Sequence, residues 1–549
     1  MKRLIVLSLP FWFAIKLSAA NDMKPLQKKR PNILFAISDD QSYYSTSFAG
    51  CGFIKTPAFD QIAKEGIFFA NCIAASPGCA PSRGSIVTGR YPWQNEQSGQ
   101  HASSWMKAYV PFVDLLDKSG YYTGYTGKGV DPFQYARNKK DSMWRTQNAA
   151  GRSFNTIKYK AGDVSDIRPA KGISNINYFE NFKDFLKKKK DGQPFFFWYG
   201  ALEPHRGFEK DSWRRNGKRL KDVKVPAFLP DNGIVRGDLL DYALEIEWFD
   251  FHLQQMLEYL REKGELENTI VMVTSDNGMA FPRAKANGYE YGIHIPFAVW
   301  FPKMFPGGRV VDDPVSFVDI APTILELTAT SSKGMRPMTG KSILNILKER
   351  KQGIVDTMRR YVYSGRERHS ASRYLNWGYP QRVIRNKEFL LVWNMKPGRW
   401  PAGDPQRVDP VHKDRLLPKY GIDNKGIYHS EWAFTDIDNS PTKSFTVEHM
   451  NNKDIRPFFE WAIAKRPEFE LYHIASDPDC LKNLYGKRTY TAIQGRLKRA
   501  LMQELTKTQD PRVVGPDPEI FDSYKRYSGP MREFPEPEAN SSALKPPLH

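Results

Sequence analysis

The sequence predicts an α/β fold: a large mixed sheet flanked by helices, followed by a smaller α+β domain. Two observations predict it. Three short, almost wholly apolar runs at 32–37, 195–199 and 269–274 have the length and composition of strands buried on both faces. Helix-like segments at 58–65, 178–190 and 239–263 lie among them, the last with apolar residues at helical spacing. Strands alternating with helices make a largely parallel sheet covered on both sides.

The elements can be justified in chain order. Lys2 and Arg3, the apolar run 4–15 and the small residues Ser18, Ala19 and Ala20 have the three parts of an export signal, cleaved before Asn21. They predict an exported protein, periplasmic or secreted, with no membrane insertion. Residues 21–31 form a basic leader. The first large domain is expected over 21–355. After it the texture changes: strand-like pieces at 361–363 and 389–393 mix with long irregular stretches, and a helix is expected near 490–508. This predicts an α+β domain over 356–515 and a tail over 516–549, loose at 529–549 where Pro and Glu concentrate.

Composition narrows the class. Of 549 residues 40 % are hydrophobic and 13 % aromatic, enough apolar mass to exclude wholesale disorder. Four cysteines exclude a disulfide scaffold, although an oxidising compartment would let Cys51 and Cys72 pair. The net charge is +20, or +17 once the signal's Lys2, Arg3 and Lys16 are removed. Such a charge favours polyanionic partners. An exported protein rarely meets genomic DNA, so no nucleic acid is expected. Sulfated glycans, phosphorylated surfaces and lipid headgroups remain.

Ligands of such sheets gather at the carboxyl ends of the strands. Polar chemistry comes directly after each apolar run: Ser38-Asp39-Asp40 after the first, Glu203-Pro204-His205 after the second, Ser275-Asp276-Asn277-Gly278 after the third. Asp39-Asp40 and Asp276-Asn277 are oxygen-rich pairs. Brought together, they suit a hard cation such as Ca²⁺ or Mg²⁺. Either pair alone is more often a turn or a cap.

Cys79-Ala80-Pro81-Ser82-Arg83, followed by Gly89-Arg90, resembles the signature of the formylglycine-dependent (type I) sulfatases. Further blocks resemble the family in the same order: Pro31-Asn-Ile-Leu with Asp39-Asp40, Gly127-Lys128, Pro204-His205, Ser275-Asp276-Asn277-Gly278, Lys285 with Tyr289-Glu290, 319–323, and Glu470-Leu-Tyr472 with Asp477-Pro478. The resemblance spans about residues 30–505. Ser275 to Pro282 and Glu203-Pro-His-Arg206 look like the heparan N-sulfatase branch. Arg368-His369-Ser370, Arg373, Asn376, Gly378-Tyr379-Pro380 and Arg382 look like exported bacterial sulfatases of algal polysaccharides such as ulvan.

The resemblance implies an alkaline-phosphatase-like fold and a sulfatase acting on a sulfated oligosaccharide or polysaccharide. It implies that a formylglycine-generating maturation enzyme converts Cys79 to an aldehyde, whose hydrate attacks sulfur. It implies that Asp39, Asp40, Asp276, Asn277 and modified Cys79 hold the metal, Ca²⁺ ahead of Mg²⁺. Arg83 would hold the diol, Lys128 and Lys285 would clamp sulfate oxygens, and His205 would protonate the leaving group. Heparan N-sulfate is the alternative substrate. A phosphoester or phosphonate hydrolase and a glycan-binding pseudoenzyme are the alternative classes.

One departure stands out. The family pattern Gly-Lys-x-His has Val130 in place of its histidine. His101 is the candidate to contribute instead. His101, Arg366, His369 and Arg382 are expected to face substrate, the last three as part of a basic set holding anionic sugar.

Overall fold

The computed structural model describes residues 30–135, 145–417, 425–527 and 532–536. The expected export signal and most of the basic leader lie outside the described residues. Among the described residues, no helix is long and apolar enough to cross a membrane.

The first part of the chain runs β1 (Asn32–Ser38), β2 (Ile67–Phe69), β3 (Cys72–Ile73), β4 (Tyr122–Gly127), β5 (Arg152–Ser153), β6 (Phe195–Gly200), β7 (Thr269–Ser275), β8 (Phe297–Trp300), β9 (Arg309–Val311) and β10 (Val315–Ser316). Eight of these build one sheet in the order β5-β4-β6-β1-β7-β8-β2-β9. The block from β5 to β7 is parallel. β8 runs antiparallel to both of its neighbours, so the sheet is mixed. The three apolar runs are its central strands β6, β1 and β7. β4 escapes the apolar-run criterion because it is built from Tyr, Thr and Gly.

Alternate residues feed two separate cores. Phe35, Phe196, Trp198 and Met272 enter one; Leu34, Phe197 and Val271 enter the other. Covering the faces are α1 (Pro57–Glu65), α2 (Cys79–Thr88), α3 (Phe112–Lys118), α4 (Tyr178–Lys188), α5 (Ser212–Arg215) and α6 (Gly233–Glu262). α1 starts on a proline, and the Asp250 carboxylate of α6 accepts the free N–H groups of Ala58 and Phe59 at 2.9 and 2.8 Å. That bond fixes how two helices pack on one face.

The register positions the site. Ile37 pairs with Gly200, Ser38 with Ser275, and Gly127 with Gly200. Four parallel strands therefore end level, and the segments leaving them emerge at the same edge. Gly127 makes the turn into Lys128: its φ is +75°, and a Cβ would sit 1.9 Å from the Gly200 carbonyl oxygen.

The later chain forms β11 (Val362–Arg366), β12 (Gln381–Arg385), β13 (Phe389–Asn394), β14 (Arg407–Val408), β15 (Leu416–Leu417) and β16 (Phe469–His473). β11, β12, β13 and β16 make an antiparallel four-stranded sheet. The helix Thr491–Lys507 packs its Leu497, Leu501 and Leu505 toward the main core.

Two expectations are corrected. Cys51 and Cys72 are free thiols, as are Cys79 and Cys480. Of the stretch 529–549 expected to be loose, 532–536 are described, and there Phe534 is buried and the Glu533 carbonyl accepts the Val408 N–H at 2.9 Å. Aromatic rings in an acidic, proline-rich stretch had apolar surface to cover. Residues 528–531 and 537–549 lie outside the described residues.

Candidate active site

α2 presents Cys79 at its first residue, facing the level strand ends. Proline is tolerated at position 81 because the first helical turn needs no N–H there. All ten residues of α2 are buried. Arg83, one turn on, bonds Asp276 Oδ2 through Nε at 2.6 Å, and the Lys128 and Gly129 carbonyls through Nη1 at 2.9 and 3.0 Å. Ser82 Oγ donates to the Asp276 carbonyl at 2.6 Å. The Cys-x-Pro-x-Arg stretch thus ties the helix to the ends of β7 and β4.

Asp39, Cys79 and Asp276 each offer one ligand atom within 4.8 Å of the other two, and all three are buried. Asp40 joins them through a left-handed backbone, φ +75°, which turns two consecutive carboxylates into one space. Asn277 Nδ2 donates to Asp40 Oδ1 at 2.8 Å, and the Asp40 N–H donates to Asp276 Oδ1 at 3.1 Å. Asp39 Oδ1 and Asn277 Oδ1 are buried with no hydrogen-bond partner among the described residues. Buried acceptors rarely stay orphaned. Hard oxygen donors converging with two unanswered oxygens fit a hard cation.

Electrostatics point the same way. Burial, then the charge of Asp39, push the Asp276 carboxyl up to about 7 against the pull of Arg83 and Lys128. Burial also opposes ionisation of Asp39, but Lys128, His205, Arg83 and Lys285 outweigh it and hold that carboxyl well below its ordinary range. A cation between the two would relieve the repulsion. Burial pushes the Cys79 thiol up to about 11, so an unmodified Cys79 is a poor nucleophile at neutral pH.

Lys128 Nζ pairs with Asp39. Lys285 Nζ pairs with Asp40 Oδ2 at 2.6 Å and with Asp438 Oδ2 at 3.1 Å. His205 stands at the mouth, its side chain 40 % exposed and its Nε2 4.0 Å from Asp40 Oδ2. A cavity of about 700 Å³ opens here, lined among others by Asp39, Cys79, His101, Lys128, Asp131 and His205.

His101 therefore shares the cavity with Cys79. Its Nδ1 is buried without a partner among the described residues, and its ring lies 5.3 Å from that of His369. Burial holds both imidazoles well below their ordinary range, His369 at about 4. His369 packs on Gly78: a Cβ there would come within 3.3 Å of its Nδ1. Val130 is fully buried in the apolar core, so position 130 offers the cavity no side chain.

Two expected sugar contacts sit elsewhere. Arg382 is fully buried, pairing with Asp510 at 2.6 Å and Glu367 at 2.7 Å. Arg366 is 3 % exposed and pairs with Asp436 at 2.5 Å. Guanidinium groups buried at this depth present nothing to a sugar at the surface, although Arg366 Nε and Nη1 find no partner among the described residues.

Sequence reasoning missed Asp438 and Glu203 as site residues. Asp438 reaches Lys285 from 153 positions along the chain, and no local pattern marks it. Glu203 precedes a noticed histidine; its carbonyl accepts the Asp39 N–H at 2.9 Å and its carboxylate accepts Tyr178 Oη at 2.7 Å.

Residues 31–330 match the family model described as Sulfatase. An ulvan-active sulfatase of Formosa agariphila is 25 % identical over 505 residues, covering 88 % of this chain and 76 % of that protein. The human N-sulphoglucosamine sulphohydrolase is 25 % identical over 536 residues, covering 90 % and 93 %. Among solved structures, BT4656 in complex with its substrate D-glucosamine-2-N,6-O-disulfate superposes with a TM-score of 0.60 at 19 % identity, covering 89 % of this chain and 99 % of that one.

Proposed function

The chain belongs to the sulfatase family, a sulfuric ester hydrolase of sulfated glycans, and from that premise we propose that it is an exported bacterial enzyme that desulfates an algal polysaccharide of the ulvan type, or its oligosaccharides, through formylglycine at position 79. The observation that carries the reading is Cys79 at the head of α2, against Asp39 and Asp276, with two buried oxygens unanswered. The catalytic domain is taken as 21–355 and the C-terminal domain as 356–515.

Asp39, Asp40, Asp276, Asn277 and oxidised Cys79 would hold Ca²⁺, which when bound neutralises a sulfate oxygen and acidifies a coordinated hydroxyl. Formylglycine at position 79 would supply a hydrate whose two hydroxyls could serve as the nucleophile and as the group that expels sulfate. Lys128 and Lys285 meet the remaining sulfate oxygens, their own charges kept by Asp39, Asp40 and Asp438. Arg83 fixes the nucleophile's helix and the Asp276 carboxylate in one frame. His205, half-exposed at the mouth, gives its proton to the leaving oxygen or nitrogen. His101, kept neutral by burial and with Nδ1 free of protein partners, accepts the proton of the second hydroxyl in place of the residue missing at 130.

Heparan N-sulfate is the second reading. It is favoured by the 93 % coverage of the human sulphohydrolase, against 76 % for the ulvan-active enzyme.

The test is sulfate release by protein matured in a competent host, with Cys79→Ala as control. The panel holds ulvan, N-sulfated heparan and carrageenan oligosaccharides. Release from ulvan fragments, reduced at least ~10³-fold in the control, is the expected outcome. Release from the heparan set alone moves the assignment to the second reading. No release anywhere, with Cys79 shown by mass to be converted, sinks the glycan reading.

A further inference from the structure

A second cavity of about 540 Å³ lies in the C-terminal part of the molecule and shares no lining residue with the site of Cys79. Trp377, Trp400, Tyr374 and Tyr428 supply its rings, and Arg373, Lys396, Arg399 and Lys465 its cations, against the carboxylates Asp404 and Glu536. The two indoles are half-buried.

Each indole carries a cation. The Arg399 guanidinium lies 4.6 Å from the Trp377 ring centre, and Lys465 Nζ lies 5.6 Å from that of Trp400. Arg399 is anchored by Asp522 at 3.0 Å and Lys396 by Glu519 at 2.5 Å. Lys465 forms no ion pair with any described residue; it acts on the Asp404 carboxylate of the same cavity through space and stays exposed at the rim. Flat rings suit the apolar C–H faces of sugars, and ammonium and guanidinium groups beside them suit sulfates on the same sugar.

The cavity is also coupled to the catalytic wall. Arg373 bonds the Trp400 and Pro401 carbonyls at 2.6 and 2.9 Å and the Asp436 carboxylate at 2.7 Å. Asp436 accepts Ser370 Oγ at 2.8 Å, next to the His369 that packs on Gly78. One buried arginine–aspartate pair therefore braces both the cavity floor and the residue beside the nucleophile's helix.

We propose that this cavity is a second sugar-binding site, separate from the catalytic one, that holds a sulfated residue of the same glycan chain between Trp377 and Lys465. The proposal rests on the glycan reading above for its ligand, but it requires binding, not turnover. A second contact on one chain raises the local concentration of polymer at the catalytic mouth and gives nothing to a monosaccharide.

The experiment uses the full chain carrying Cys79→Ala and isothermal titration with a sulfated ulvan oligosaccharide and its chemically desulfated counterpart. Trp377→Ala with Lys465→Ala should weaken binding of the sulfated probe ~10-fold. Lys465→Glu alone, on an exposed ammonium, serves if the double variant fails to fold and should weaken binding at least as much. In the matured enzyme the same variants should raise KM for polymer and leave kcat/KM for a sulfated monosaccharide within about twofold. Unchanged affinity and unchanged polymer KM, or equally tight binding of the desulfated probe, would overturn the proposal. Variant-sensitive binding without sulfate release from ulvan fragments would support this site while sinking the ulvan reading of the catalytic one.

Discussion

At the carboxyl ends of β1 and β7, four oxygen-bearing side chains meet and two of their oxygens find no partner. In the C-terminal sheet, Arg382, Arg512, Glu367 and Asp510 meet just as deeply, and every charge is answered. Arg382 bonds Asp510 and Glu367; Arg512 bonds Glu367 at 2.8 Å and the Pro518 carbonyl at 3.0 Å. Both clusters are buried and charged, and only one is incomplete. Desolvated charges persist when they are paired, so a closed network holds the fold together. An open one, with carboxylates crowded against each other, keeps room for something else. Incompleteness, rather than charge or burial, separates the chemical site from the structural one.

The comparison breaks most visibly on stability. Arg382→Leu should cost ~3–5 kcal/mol, because it strands the buried Asp510 carboxylate and leaves Glu367 with Arg512 alone. Asp39→Asn should cost less in metal-free protein, since the loss of its pair with Lys128 is partly offset by relief of the repulsion with Asp276. Denaturant unfolding measures both, and equal losses would end the distinction. Metal should close most of that gap. Ca²⁺ at about a hundred times its Kd should stabilise the unsubstituted protein by ~3 kcal/mol, and the rise should vanish in Asp39→Asn and persist in Arg382→Leu. Thermal unfolding with calcium and with chelator checks this.

A smaller effect tests the cavity wall. His101→Ala in matured enzyme should lower kcat ~100-fold with KM nearly unchanged, as expected for a lost proton acceptor. A matching loss of folding stability would make His101 a packing residue instead.

The smallest effect concerns a charge buried near Asp438. Lys443 is 1 % exposed and donates to the Ile437 carbonyl and Asn439 Oδ1, both at 3.0 Å. Burial lowers its amine from 10.5 to about 7. Between those values the unfolded chain binds more protons, so stability should rise with pH over that window and be flat below it. Lys443→Met should flatten the rise, and paired unfolding curves at pH 7 and 9 compare the slopes.

Much of this was legible along the chain. The central strands appear as apolar runs because burial on both faces leaves no alternation. The strand-end carboxylates appear because they follow those runs directly, and Cys79 and Arg83 appear because the Cys-x-Pro-x-Arg stretch resembles the family signature. β4 did not appear, since its Thr and Gly residues carry no hydrophobic signal. Arg366 and Arg382 were misread because an arginine looks the same in sequence whether it meets a sugar or a buried aspartate 128 positions away.

The sequence by itself determined the sheet's central strands, the order of its motifs and the residue types gathered at strand ends, since these are local patterns of polarity and size. The tertiary structure alone decided which of them meet. Pairing Ser38 with Ser275 brought two oxygen-rich pairs into one space. Folding the C-terminal region back brought Asp438 to Lys285. Packing turned Val130 into the core and left His101 beside Cys79. Contacts between distant segments depend on register and packing over the whole chain, and no window of sequence carries that information.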